Sequence, residues 1–89
     1  MKTSSVVISN KLGLHARAAA KLVQLSNQFH AHILLQKEGE QADAKSIMEV
    51  LMLAGTKDTQ LDIVTEGSDE EEALEEVCRL IDNKFEEEE

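Results

Sequence analysis

The chain has 89 residues, 42% of them hydrophobic, and a formal net charge of −9. That is enough for one modest core and too little to enclose a large substrate as well. The acidic balance argues against nucleic acid or an anionic membrane surface as the main partner. No apolar run approaches membrane-spanning length and no signal-peptide pattern follows Met1-Lys2-Thr3, so a cytoplasmic protein with no membrane insertion is expected. In chain order, Ser5 to Ser9 reads as a strand, ending in the polar pair Asn10-Lys11. Ala16 to Gln28 is rich in Ala, Leu, Lys and Gln and predicts a helix. Ala31 to Lys37 predicts a second strand, turning at Glu38-Gly39 into a short partner from Glu40 to Asp43. Ser46 opens a brief helix to about Leu53, stopped by Gly55. Gln60 to Glu66 sets Leu61, Ile63 and Thr65 against polar Asp62, the period of a half-buried strand. Ser68, with Glu71 three residues on, predicts a capping box for a last helix whose face carries Leu74, Val77, Cys78, Ile81 and Phe85.

No proline, repeat or linker interrupts this series, so residues 1–85 are expected to form one domain and the run 86–89 a solvated, disordered acidic tail. Helices that need cover on one side imply an α+β fold, with an antiparallel sheet and the helices packed on a single face. Strand order is open at this point, a ferredoxin-like split βαβ arrangement being the competitor. Cys78 is alone and sits on an apolar stripe, which makes it core filler rather than a nucleophile. His30 and His32 have no carboxylate or thiol close by in sequence, so they read as surface histidines rather than metal ligands. Neither a metal nor a cofactor is expected.

The chemistry concentrates at Lys11-Leu12-Gly13-Leu14-His15-Ala16-Arg17-Ala18. Here a histidine stands where a loop enters a helix, with an arginine two positions on. The first backbone N–H groups of a helix lack intrahelical partners and the dipole's positive end points outward, so the N–H groups of Ala16 and Arg17 would hold an anion carried on His15. Arg17 adds a charged planar fork suited to phosphate oxygens. The same positive field disfavours an imidazolium, which predicts a neutral, nucleophilic His15 near physiological pH. Lys11, Arg17 and Lys21 stand in a segment with no carboxylate from Lys11 through Gln36. A basic working face is the expectation.

Gly13-Leu14-His15-Ala16-Arg17-Ala18-Ala19, followed about thirty residues on by Lys45-Ser46-Ile47-Met48 and Leu51-Met52-Leu53-Ala54, resembles the histidine-containing phosphocarrier proteins, the HPr family. The resemblance covers essentially the whole chain. It implies an open-faced β-sandwich with strand order 1-4-2-3 and three helices on one face. It also implies that His15 takes phosphate on Nδ1 from Enzyme I of the phosphoenolpyruvate:sugar phosphotransferase system and passes it to the A components of permeases, with Arg17 as its electrostatic partner. One departure is visible: Ala18 stands where many members have proline. Proline fits the first turn of a helix, so its absence costs some rigidity and no chemistry.

Two further sites follow. Ser46 is a good N-cap for the short helix, and in many family members the matching serine is phosphorylated by an HPr kinase/phosphorylase, which makes it a candidate regulatory site. Ile47 to Leu53 is apolar on more faces than a short surface helix needs. With Val50 and Leu53 pointing inward, Ile47, Met48 and Leu51 form an outward stripe, and methionine suits a surface that must fit several partners. The resemblance adds Ala20 and Gln24 from the first helix to this docking surface. The leading function is therefore a phosphoryl carrier, not an enzyme with a pocket of its own, and the chain is expected to be a monomer. Regulatory members of the family, including those of nitrogen-related branches, form the second reading, and a small-ligand-binding ferredoxin-like module the third.

Overall fold

The computed structural model describes residues 1–87. In chain order the elements are β1 (Lys2–Val7), α1 (Ala16–Ser26), β2 (His32–Lys37), β3 (Glu40–Asp43), α2 (Ile47–Leu53), β4 (Gln60–Glu66) and α3 (Glu70–Asp82), followed by a short turn at Lys84–Glu86. The strands form one antiparallel sheet in the order β1-β4-β2-β3. That is the order the resemblance implied, and it settles what the succession of elements left open.

Alternation along the strands divides the sheet into two faces. Val6, Leu61, Ile63, Thr65, Ile33, Leu35 and Ala42 are buried beneath the helices, which contribute Ala18, Ala19 and Leu22 from α1, Val50 and Leu53 from α2, and Ala73, Val77 and Ile81 from α3. The other face carries Ser5, Asp62, Leu34, Val64 and Gln36, with Ser5 Oγ donating to Asp62 Oδ1 at 2.6 Å. An open-faced β-sandwich results. Thr65 is polar yet buried, and its hydroxyl donates to the Glu70 carbonyl at 2.9 Å. Cys78 is half-buried at the edge of the core, where desolvation pushes its thiol up, as does Asp82, against a hydrogen bond with Ser4.

Several boundaries differ from the sequence reading, each for a local reason. β1 begins at Lys2 and ends at Val7 rather than running from Ser5 to Ser9, because Lys2 to Val7 pair with Thr65 to Gln60. Ile8 instead bonds to a loop, its N–H to Thr59 O and its carbonyl to the Asp58 N–H. α1 stops at Ser26, where Asn27 turns its side-chain amide back to Val23 O. α2 is ended by Ala54, not Gly55, since Ala54 itself takes the left-handed conformation and donates its N–H to Leu51 O.

The capping box expected at Ser68 and Glu71 is not formed. Asp69 is the N-cap of α3, and the reach back to a free N–H is made by Glu70, which accepts from Gly67 at 3.1 Å. Asp69 makes no cap bond with its side chain. Its carboxylate accepts the N–H groups of His30 at 2.9 Å and Ala31 at 2.8 Å, tying the entry of β2 to the start of α3. The His30 N–H, then the Ala31 N–H, outweigh desolvation and hold this carboxyl below its ordinary value. A depressed folded-state pKa adds stability above the unfolded value and loses it as pH falls through the folded one. We therefore expect Asp69→Asn to melt below the wild type at pH 7, with a smaller gap at about pH 3, below the ordinary carboxyl value, where this contribution is being lost. Thermal melts at the two pH values check this.

Candidate functional site

The loop that carries His15 is set by backbone packing. Gly13 has φ +64°, and a Cβ there would lie 2.4 Å from Gly55 O and 2.9 Å from Thr56 Cα. Only glycine permits that approach. The Leu14 N–H then donates to Gly55 O at 2.8 Å, the Gly13 N–H to Asn10 O at 3.2 Å, and the buried Leu14 side chain fills space beside Gly55. His15 follows in an extended conformation as the N-cap of α1. Its carbonyl accepts the first intrahelical bond, from the Ala19 N–H at 2.8 Å. The N–H groups of Ala16 and Arg17 lie ahead of that bond.

The His15 ring caps nothing; 25% of its side chain is exposed. Its Nε2 lies 2.5 Å from Glu87 Oε2, within hydrogen-bond reach, and Nδ1 has no hydrogen-bond partner among the described residues. Arg17 is exposed, with no ion pair to a described residue. Ala18 is fully buried in the core. Asn10, also fully buried, donates from Nδ2 both to Gly13 O and to Glu87 Oε1, each at 2.9 Å. Desolvation works against ionising Glu87, but hydrogen bonds from Asn10 and His15 and the charges of His15 and Arg17 prevail and hold its carboxyl below the usual range.

These contacts correct the picture of a purely basic face. The last residues return to it: Phe85 is fully buried, Lys21 Nζ donates to Phe85 O at 2.8 Å and lies 3.7 Å from Glu86 Oε1. Lys84, Phe85 and Glu86 all have positive φ, a left-handed reversal that aims Glu87 at His15. Glu87 is thus held against the fold, Glu86 lies exposed beside Lys21, and the rest of the run expected as a tail, 88–89, lies outside the described residues. The sequence signal available was Phe85, an apolar anchor just ahead of the acidic run.

Elsewhere the expected residues fall in two groups. Ser46 is the N-cap of α2, its Oγ accepting from the Glu49 N–H at 3.3 Å. Ile47 and Leu51 are each 38% exposed and Met48 66%, while Val50 and Leu53 are buried. Ala20 and Gln24 are exposed on α1. Met52 and Leu12 are exposed apolar residues that the sequence reading did not single out. His30 and His32 are both exposed.

A family model described as the PTS HPr component phosphorylation site matches residues 2–83. The phosphocarrier protein HPr of Cupriavidus necator is 46% identical over 85 residues, 96% of each chain. The phosphocarrier protein NPr of Escherichia coli K12 is 44% identical over 84 residues, 93% of each. The crystal structure of HPr from Thermoanaerobacter tengcongensis superposes with a TM-score of 0.96 at 40% identity, covering all of both chains. The chain belongs to the HPr family of phosphocarriers of the phosphotransferase system.

The glycine contact generates a direct test. Gly13→Ala must move either the Gly55 backbone or its own left-handed φ, so it should destabilise the fold by roughly 1–3 kcal/mol in urea titration, with the largest amide shift changes around His15 and Thr56.

Proposed function

We propose that His15 is the residue phosphorylated in this carrier, that it accepts the phosphoryl group on Nδ1 from Enzyme I, and that it hands the group to the A components of sugar permeases. The observation that carries this reading is the arrangement at the start of α1: a part-exposed ring with an unpartnered Nδ1, the N–H groups of Ala16 and Arg17 ahead of the first helical bond, and an exposed Arg17 guanidinium. Transfer needs a nucleophilic nitrogen and compensation for phosphate charge, and no cofactor. Nitrogen attack on phosphorus is then a matter of positioning and electrostatics. The partners dock on Ala20, Gln24, Ile47, Met48 and Leu51, and the protein works as a cytoplasmic monomer. A regulatory role in a nitrogen-related branch is the second reading, favoured by the 44% identity to NPr. Enzyme I and A components of the two branches, offered side by side, tell the two readings apart.

With phosphoenolpyruvate and Enzyme I, the protein should gain one phosphate that is labile in acid and stable in base, as a phosphoramidate is. His15→Ala should abolish it. Arg17→Lys keeps the charge and loses the fork, so transfer should slow with little change in stability. Label that persists in the alanine variant, or moves to His30 or His32, sinks the assignment.

Ser46 is a regulatory phosphorylation site in this reading, open to an HPr kinase. Its Oγ caps α2 beside the Ile47, Met48 and Leu51 stripe. A charge there must be desolvated when a partner docks. Ser46→Asp keeps an N-cap acceptor, so its melting temperature should equal or exceed the wild type's while Enzyme I binds more weakly and His15 is phosphorylated more slowly. Titration calorimetry beside a thermal melt decides between a switch and a structural cap.

A further inference from the structure

Glu87 reaches His15 from 72 positions away in the chain. Its two oxygens are both engaged: Oε2 with His15 Nε2 and Oε1 with Asn10 Nδ2. An ionised carboxylate only accepts hydrogen bonds, so the ring nitrogen that faces it must carry the proton. Asn10 is fully buried, and its Oδ1 has no partner among the described residues. A buried amide that leaves its oxygen unsatisfied while its nitrogen serves Gly13 O and Glu87 is placed for what the nitrogen does.

We propose that Glu87 is a positioning residue for phosphoryl transfer: clamped by Asn10, its carboxylate keeps the ring proton of His15 on Nε2, so that Nδ1 holds the lone pair that attacks phosphorus. The inference rests on the reading of His15 as the phosphoryl acceptor. In the step itself, the Nδ1 lone pair forms the N–P bond while the bond from phosphorus to the donor breaks and its electron pair stays with the donor. The Nε2 proton stays on the ring. The positive charge that the ring acquires faces the Glu87 carboxylate, and the phosphoryl oxygens face Arg17 and the helix N–H groups on the other side of the reaction. The negative groups are thus kept on different ring nitrogens. Return transfer reverses each change, and the ring comes back to the same tautomer.

The test uses the full chain with histidine labelled with nitrogen-15. In the unphosphorylated wild type, ring nitrogen shifts should show the proton on Nε2. Glu87→Ala should move the ring toward a mixture of tautomers and slow phosphate acceptance from phosphorylated Enzyme I by about ten-fold, while the chain still folds and melts cooperatively. Glu87→Asp should restore most of both. A wild-type ring protonated mainly on Nδ1 overturns the proposal without any variant. So does an alanine variant that keeps the wild-type ring spectrum and rate, or one that only melts lower. A wild type that takes no phosphate overturns the carrier reading instead, and is told apart because the ring spectrum needs no phosphoryl donor.

Discussion

The backbone of Gly13 lies against the backbone of Gly55 and Thr56, and the geometry of the site depends on that approach. It pins the loop after β1 to the loop after α2 through one short hydrogen bond from Leu14 to Gly55. With the loop fixed, His15 can be an N-cap in position only, its side chain released from capping. Elsewhere N-cap side chains are spent on backbone donors, as Ser46 is on Glu49. Here the ring is held from outside the helix, and its side chain takes none of the helix's own first donors.

Charge is arranged in the same way. The chain is strongly acidic, yet its acidic residues crowd the first turn of α3 and the end of the chain. At α3 they suit the helix dipole, and Glu70 and Asp69 are further engaged by the Met1 ammonium and by the N–H groups at the entry to β2. At the end of the chain, Glu86 lies near Lys21 and Glu87 against His15. Arg17 alone of the cations expected around His15 is described with neither hydrogen bond nor ion pair while standing exposed at the helix start, the setting in which a guanidinium is most useful to phosphate.

The elements with strong periodicity were legible in the sequence. β4 and β3 have the bounds expected, and Val50 and Leu53 turn inward as their spacing requires. Boundaries set by long-range partners were not. Lys2 to Ser4 look polar, and become strand only because β4 lies alongside. Ser68 and Glu71 have the capping-box spacing, but Asp69 can also tether β2, a gain invisible without the tertiary structure. The candidate site could be read at His15, Ala16 and Arg17 because the parts proposed to hold an anion are local to one helix start. Asn10 and Glu87 were missed because their meaning arises from the fold: a polar residue after a strand and an acid in a charged run are ordinary until Phe85, buried beyond the end of α3, brings the chain end home.

The placement of Glu87 has a consequence for how the molecule comes into being. A growing chain emerges from its N-terminus, and domains fold largely as units once enough of them is available. His15 is made 72 residues before its carboxylate partner. A nascent chain whose newest residue is Phe85 already contains every core side chain, but not the acid that holds the ring. The ring of His15 therefore gains its acid only after the core residues around it have been made, and a stop just after Phe85 would release a chain with every core side chain and without that contact.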